Sequence, residues 1–140
     1  MIEIVHGPID VGSVMQSVQD TAAGGTALFV GTTRDHSDGR TVLRLEYDAY
    51  GPMAIKLMNR IAADVRSRWS VQKISIVHRT GRLEVGDASI AIAVSSAHRS
   101  EAFESCRYVL DTLKREVPIW KKEFFTEGEG WVGRKEHSPT

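Results

Sequence analysis

Three short segments of this chain carry residue types that can do chemistry. Ser95-Ser96-Ala97-His98-Arg99-Ser100 stands where the most strand-like stretch, Ala88–Ser95, runs into a helical pattern. The first backbone N–H groups of a helix lack partners and lie at the positive end of its dipole, so anions bind there readily. His98 and Arg99 add two donors of the same sign, and a cation there is unfavourable unless an anion accompanies it. The competing reading pairs Arg99 with Glu101 or another carboxylate. The second segment runs from Leu113-Lys114 through Pro118 to Trp120-Lys121-Lys122-Glu123. Lys114 follows Leu110 by four and precedes Val117 by three, on the margin of an apolar helical stripe, whereas Lys121 lies past the Pro118 stop on a returning strand. A tight helix-to-strand turn can bring both lysines to one pocket. There, burial and a neighbouring positive charge make an amine easier to deprotonate, and so a usable base or nucleophile. The alternative is two solvated lysines whose stems cover apolar atoms. The third segment is Thr32-Thr33-Arg34-Asp35-His36, where a strand opens into a loop. Arg34 is either a guanidinium fork for phosphate or a loop arginine paired with Asp35 or Asp38.

Composition narrows what these segments can serve. The 140 residues hold eighteen Lys and Arg against eighteen Asp and Glu, a formal net charge of zero. Broad binding to nucleic acid or anionic membrane needs a positive surplus, so any anion chemistry must be local. The single Cys106 falls in a helical pattern and reads as a small buried residue rather than a reactive thiol. His36, His78 and His98 are too dispersed for a metal site, so none is expected. Gly81-x4-Gly86 lacks the Lys-Ser/Thr of a phosphate-binding loop. Tyr47, Tyr50, Trp69 and Trp120 read as core or interface rather than as base-stacking platforms. No apolar run reaches membrane-spanning length, and Met1-Ile-Glu-Ile-Val lacks the features of a signal peptide, so a soluble cytoplasmic protein is expected.

The elements that must position these residues follow from periodicity. Residues 2–6 form a short strand, and Asp10 caps a helix running to Gly24-Gly25. Thr26–Thr33 is a strand, Asp38-Gly39 a turn, and Thr41–Tyr50 a strand expected to pair with Thr26–Thr33 as a hairpin. Pro52 opens a helix ending near Trp69, residues 71–79 are a strand, and Thr80–Asp87 is a glycine-punctuated loop. Arg99–Val117 is the third helix, and Ile119–Phe125 the last strand before a Gly-rich stretch and Trp131-Val132. One domain over residues 1–140 with antiparallel strands and about three helices is an α+β arrangement.

In order and spacing, three blocks of sequence resemble the large, catalytic subunit of molybdopterin synthase over residues 5 to 135. They are Val30-Gly-Thr-Thr-Arg34-Asp-His36; Val77-His78-Arg79-Thr-Gly81-Arg-Leu-x-x-Gly86-Asp87 with Ser96-Ala-His98-Arg99-Ser100-x-Ala-Phe103; and Leu113-Lys114 through Pro118-x-Trp120-Lys121-Lys122-Glu123. The resemblance implies an α/β hammerhead-like fold with an additional antiparallel sheet. It implies a sulfurtransferase of molybdenum cofactor biosynthesis, acting on cyclic pyranopterin monophosphate. Two sulfurs arrive as the C-terminal thiocarboxylate of a small ubiquitin-like subunit, and no further cofactor is implied. The family assembly is a homodimer at the centre of a heterotetramer. Carried over by motif, Lys114 and Lys121 match the catalytic lysines. His98 and Arg99 match substrate-anion residues, Thr32, Thr33 and Arg34 match a pocket-lining loop, and Lys122 and Glu123 continue the strand at the pocket edge. A basic residue that reaches the neighbouring subunit's site follows the family's Trp-Val pair. Here Lys135 holds the commoner position and Arg134 precedes it, and the resemblance leaves open which of them, if either, reaches across. Without the resemblance, the same charges also suit a module that binds a phosphorylated ligand or a protein tail without turnover.

Overall fold

The structure is a computed structural model, which describes residues 1–126 and the backbone of residues 128–132. The order of elements is β1 (Ile2–Val5), α1 (Val11–Ser17), β2 (Gly25–Thr32), β3 (His36–Ser37), β4 (Arg40–Ala49) and α2 (Gly51–Arg68). Then come β5 (Lys73–Arg79), β6 (Gly81–Glu84), β7 (Ala88–Ser96), α3 (Arg99–Glu116), β8 (Ile119–Phe125) and β9 (Gly128–Val132). The α+β arrangement with three helices and an additional antiparallel sheet is found as expected.

The first sheet has the order β1-β5-β7-β2, with β1 parallel to β5 and the other pairs antiparallel. Both of its faces are covered. Ile74 and Ile76 of β5 and Ile90, Ile92 and Val94 of β7 join the main core with α2 and α3. Alternation turns Val77, Ala91 and Ala93 the other way, onto Val14 and Val18 of the α1 segment. Small residues on that second face let the short helix sit close, which is why β7 reads as an unbroken apolar run. The second sheet has the order β3-β4-β8-β9, with β6 on the other side of β4. Only one of its faces is deeply buried, through Val42, Leu45, Tyr47, Leu83 and Ile119.

Three sequence expectations are corrected. α1 ends at Ser17, well short of Gly24. Asp20 then forms a side-chain turn, its carboxylate accepting from the N–H of Ala22 at 2.8 Å. Gly24 lies against the α3 start, where a Cβ would stand 2.3 Å from the Ala97 carbonyl oxygen. Asp38-Gly39 does form a tight turn, with φ of 51° and 74°, but the hairpin joins β4 to the two-residue β3. β2 pairs with β7 instead. Its ladder shifts between Gly31 and Thr32, and Thr33 is tied to the Asp87 carbonyl, so the chain leaves the first sheet before the turn. The Thr80–Asp87 segment contains strand β6, paired with β4 from Arg44↔Glu84 to Tyr47↔Gly81. A four-residue strand with Leu83 as its single apolar residue leaves no periodic signal.

Candidate active site

β4 and β8 build the floor of a narrow pocket. Their ladder sets Tyr47 opposite Lys121 and Leu45 opposite Glu123, so all four side chains share the inner face. Val42, Leu45 and Tyr47 supply apolar floor, and Lys121 and Glu123 supply charge. Thr32, Arg34, His36 and Ser37, from the segment that leaves β2, form the opposing wall. Lys114 stands half-buried in the last turn of α3. Pro118 follows the helix end, and the Val117 N–H closes the helix on the Leu113 carbonyl at 3.0 Å. That stop returns the chain as β8 and carries Lys121 back beside Lys114.

The electrostatic surroundings of Lys121 record this convergence. The side chain is 9% exposed. Burial holds its amine below the ordinary lysine range. Arg34 and Lys114 push in the same direction, while Glu123, itself buried, favours the ammonium. Three segments far apart in sequence therefore act on one nitrogen. A desolvated lysine with cations on two sides and one carboxylate is suited to exchange a proton and to hold an anionic group.

The remaining expected residues fall elsewhere. Thr33 is buried, and its hydroxyl and N–H both donate to the Asp87 carbonyl, at 3.3 and 3.0 Å. It anchors the wall, whereas Thr32 is exposed and lines the pocket. Lys122 is turned by strand alternation to the outer face, its Nζ 5.1 Å from the centre of the Phe124 ring. Arg44 lies over the same ring at 3.9 Å. Arg134 and Lys135 lie outside the described residues.

His98 and Arg99 are not brought to this pocket within the chain. β2 and β7 pair Gly25 with Ser96 at one end and Thr32 with Ala88 at the other. His98, the cap of α3, therefore stands at the Gly25 end, while Arg34 leaves from the Thr32 end. An eight-residue strand spans roughly 23 Å, and the fifteen helical steps from Arg99 to Lys114 cover about 22 Å. At that far end His98 has no side-chain capping bond, Arg99 is exposed, and the Ser96 hydroxyl donates to the His98 carbonyl. A broad concavity lined by Asp20, Thr21, Gly24 and Gly25 lies at the same end of the sheet.

Tyr47 and His36 are among the pocket residues that carried no assigned role in the sequence. Tyr47 read as core or interface, and its alternation with Leu45 was the signal that places it beside Lys121. His36 lies at the pocket, with Nδ1 at 2.7 Å from the Asp35 carboxylate. That bond holds Asp35 below its usual range. Cys106 is buried as expected, and burial raises its thiol to about 11. No helix among the described residues is long and apolar enough to cross a membrane.

Comparison with known proteins identifies the relatives of this arrangement. The MoaE protein family matches residues 4–116. The human molybdopterin synthase catalytic subunit is 48% identical over 136 residues, covering 97% of this chain and 72% of the human one. The crystal structure of molybdopterin synthase from Staphylococcus aureus superposes with a TM-score of 0.90 at 37% identity, covering 94% of this chain and 96% of that one. A Helicobacter pylori structure, a complex of subunits 1 and 2 of molybdopterin-converting factor, shares the fold with a TM-score of 0.77 at 20% identity, over 99% of this chain and 93% of that one. The chain belongs to the MoaE protein family, that of the molybdopterin synthase catalytic subunits.

Proposed function

We propose that the chain is a sulfurtransferase, the catalytic subunit of a molybdopterin synthase. It moves two sulfurs, one from each of two small ubiquitin-like subunits charged as C-terminal thiocarboxylates, to cyclic pyranopterin monophosphate, forming the molybdopterin dithiolene and leaving each carrier as a carboxylate. The observation that carries this reading is the convergence of Arg34, Lys114 and the desolvated Lys121 on one pocket. Arg34 offers a two-pronged donor to the cyclic phosphate and stabilises the charge that develops as that ring opens. Lys121, with Lys114 beside it, orients the anionic thiocarboxylate and exchanges protons during each transfer. Glu123 holds Lys121 in place. Sulfur arrives on the small subunit, so the reading calls for no cofactor, and it fits a protein of the cytoplasm.

A second copy of the chain completes the site. His98 and Arg99 sit too far from Lys121 to act with it in the same chain. Among the described residues, β2 pairs only with β7, so its outer edge is open beside Leu28 and the 67%-exposed Phe103. Two β2 edges laid antiparallel about a twofold axis put the Gly25 end of one copy against the Thr32 end of the other. His98 and Arg99 then reach the pocket across the interface as further anion donors. A small subunit bound at each pocket gives a heterotetramer. The test is a single-turnover assay with purified chain, thiocarboxylated small subunit and cyclic pyranopterin monophosphate. Dithiolene formation by the wild type, lost in Lys121→Ala with small-subunit binding retained, is the expected result. Full activity in Lys121→Ala overturns the assignment, and binding without turnover by the wild type makes the chain a non-catalytic module.

A further inference from the structure

The Lys121 pocket lies where the two sheets meet, and a buried hydrogen-bonded chain joins them there. Tyr47, opposite Lys121 on β4, is 3% exposed, and Ser89 on β7 is 1% exposed. The Tyr47 phenol is hydrogen-bonded to Ser89, and the Ser89 hydroxyl donates to the Gly31 carbonyl at 3.3 Å. A serine hydroxyl has one proton to give, so the phenol donates to Ser89 while Ser89 donates to Gly31. The chain thus runs from β4 in the second sheet, through β7, to the end of β2, three residues before Arg34. His78 packs edge-on against the Tyr47 ring, with centroids 5.1 Å apart and planes at 72°. Its own Nδ1–H is spent on the Arg79 carbonyl at 2.8 Å. The ring is therefore held by packing, and the hydroxyl is left to set the spacing of the sheets.

We propose that Tyr47 is a positioning residue for Lys121: through Ser89 and Gly31 its hydroxyl fixes the separation between the strand carrying Lys121 and the strand delivering Arg34, and keeps water from the lysine. The proposal rests on the reading of this pocket as the sulfur-transfer site. Lys121 is faced by Glu123 on its own strand, Arg34 beyond β2, Lys114 on α3, His36 on β3 and Tyr47 on β4. Tyr47→Phe keeps the ring and removes the tie. Water then enters and Arg34 recedes. Both changes favour the ammonium and outweigh a weaker hold by Glu123, because burial is the largest influence on this amine.

The experiment titrates Lys121 by NMR in the full chain carrying ¹³C-labelled lysine, for wild type, Tyr47→Phe, Ser89→Ala and Val14→Ala. Val14 lies in the small core on the far face of the first sheet and controls for general destabilisation. The expected result is an upward displacement of the Lys121 midpoint by about half a unit or more in both seam variants, with none in Val14→Ala. In the transfer assay the same variants should lower kcat and move its pH profile to higher pH, with KM unchanged. A Lys121 midpoint unmoved in Tyr47→Phe, or moved equally in Val14→Ala, overturns the proposal; if Tyr47→Phe does not fold, Ser89→Ala decides by the same criterion. Failure of the wild type to form dithiolene refutes the sulfur-transfer reading and leaves the titration result standing, so the two failures are distinguishable.

Discussion

The two ends of the first sheet each gather positive charge, and they do so under opposite conditions. At the Thr32 end, Arg34, Lys114 and Lys121 converge from three segments, with Lys121 out of water and Glu123 as the local counter-charge. At the Gly25 end, His98 and Arg99 are neighbours in sequence, exposed, and aligned with the start of α3. Desolvation makes the first end strongly dependent on its neighbours, because charges interact strongly where water is absent. The second end is hydrated and screened, and it gains force only when a partner surface closes over it. On the proposed reading, proton exchange belongs to the buried end, and the exposed end adds anion donors across the interface.

This contrast sets the order of expected effects. Lys121→Ala is expected to lower the transfer rate on the order of 10²–10⁴-fold, the range of a lost acid-base group, measured by single-turnover quench. Retained rate in that variant removes the distinction between the ends. The buried end should also be acid-sensitive through His78, whose fully buried ring is pushed down to about 4 from 6.5. The unfolded ring takes up a proton below pH 6.5 and the folded ring does not until about pH 4. Stability is thus lost as pH falls across that window, by about 3 kcal/mol in total from this group. Urea denaturation of wild type and His78→Phe across the window checks this, with the variant expected to lack that component.

At the exposed end, Gly24→Ala drives a Cβ to within 2.3 Å of the Ala97 carbonyl oxygen. A cost of roughly 1–3 kcal/mol is expected in thermal denaturation, with the Lys121 midpoint unchanged. A coupled change in that midpoint breaks the separation of the two ends. The smallest effect sharpens the electrostatics of the pocket. Glu123→Gln removes the carboxylate that favours the ammonium, so the Lys121 midpoint should fall, read by NMR titration.

Much of the buried end was legible in the sequence. Lys114 and Lys121 flank Pro118, and the helix stop followed by a returning strand already allowed them to meet. Arg34 was legible as a strand-end cation. The distance between the two ends was not, because the order of strands in a sheet leaves no trace in local periodicity. Only the pairing of Gly25 with Ser96 and of Thr32 with Ala88 shows that His98 and Arg34 lie apart. Lys122 was assigned to the pocket edge although period-two alternation sends it to the opposite face from Lys121. Tyr47 was hidden for another reason, since a tyrosine in a half-buried strand has the same pattern whether it fills a core or lines a site. The short strands β3 and β6 gave no signal because their pairing with β4 is decided by tertiary contacts.

The central claim is that one catalytic site needs the buried end of one chain and the exposed end of another. Complementation tests it most directly. Chains carrying Lys121→Ala and chains carrying Arg99→Ala are assayed separately, then mixed in equal amounts after reversible dissociation. Each parent dimer is defective at both sites, whereas a mixed dimer has one site with both lesions and one intact site. Random twofold pairing makes half the dimers mixed, so activity should recover to roughly a quarter of wild type. A mixture no more active than the average of its two parents contradicts the claim.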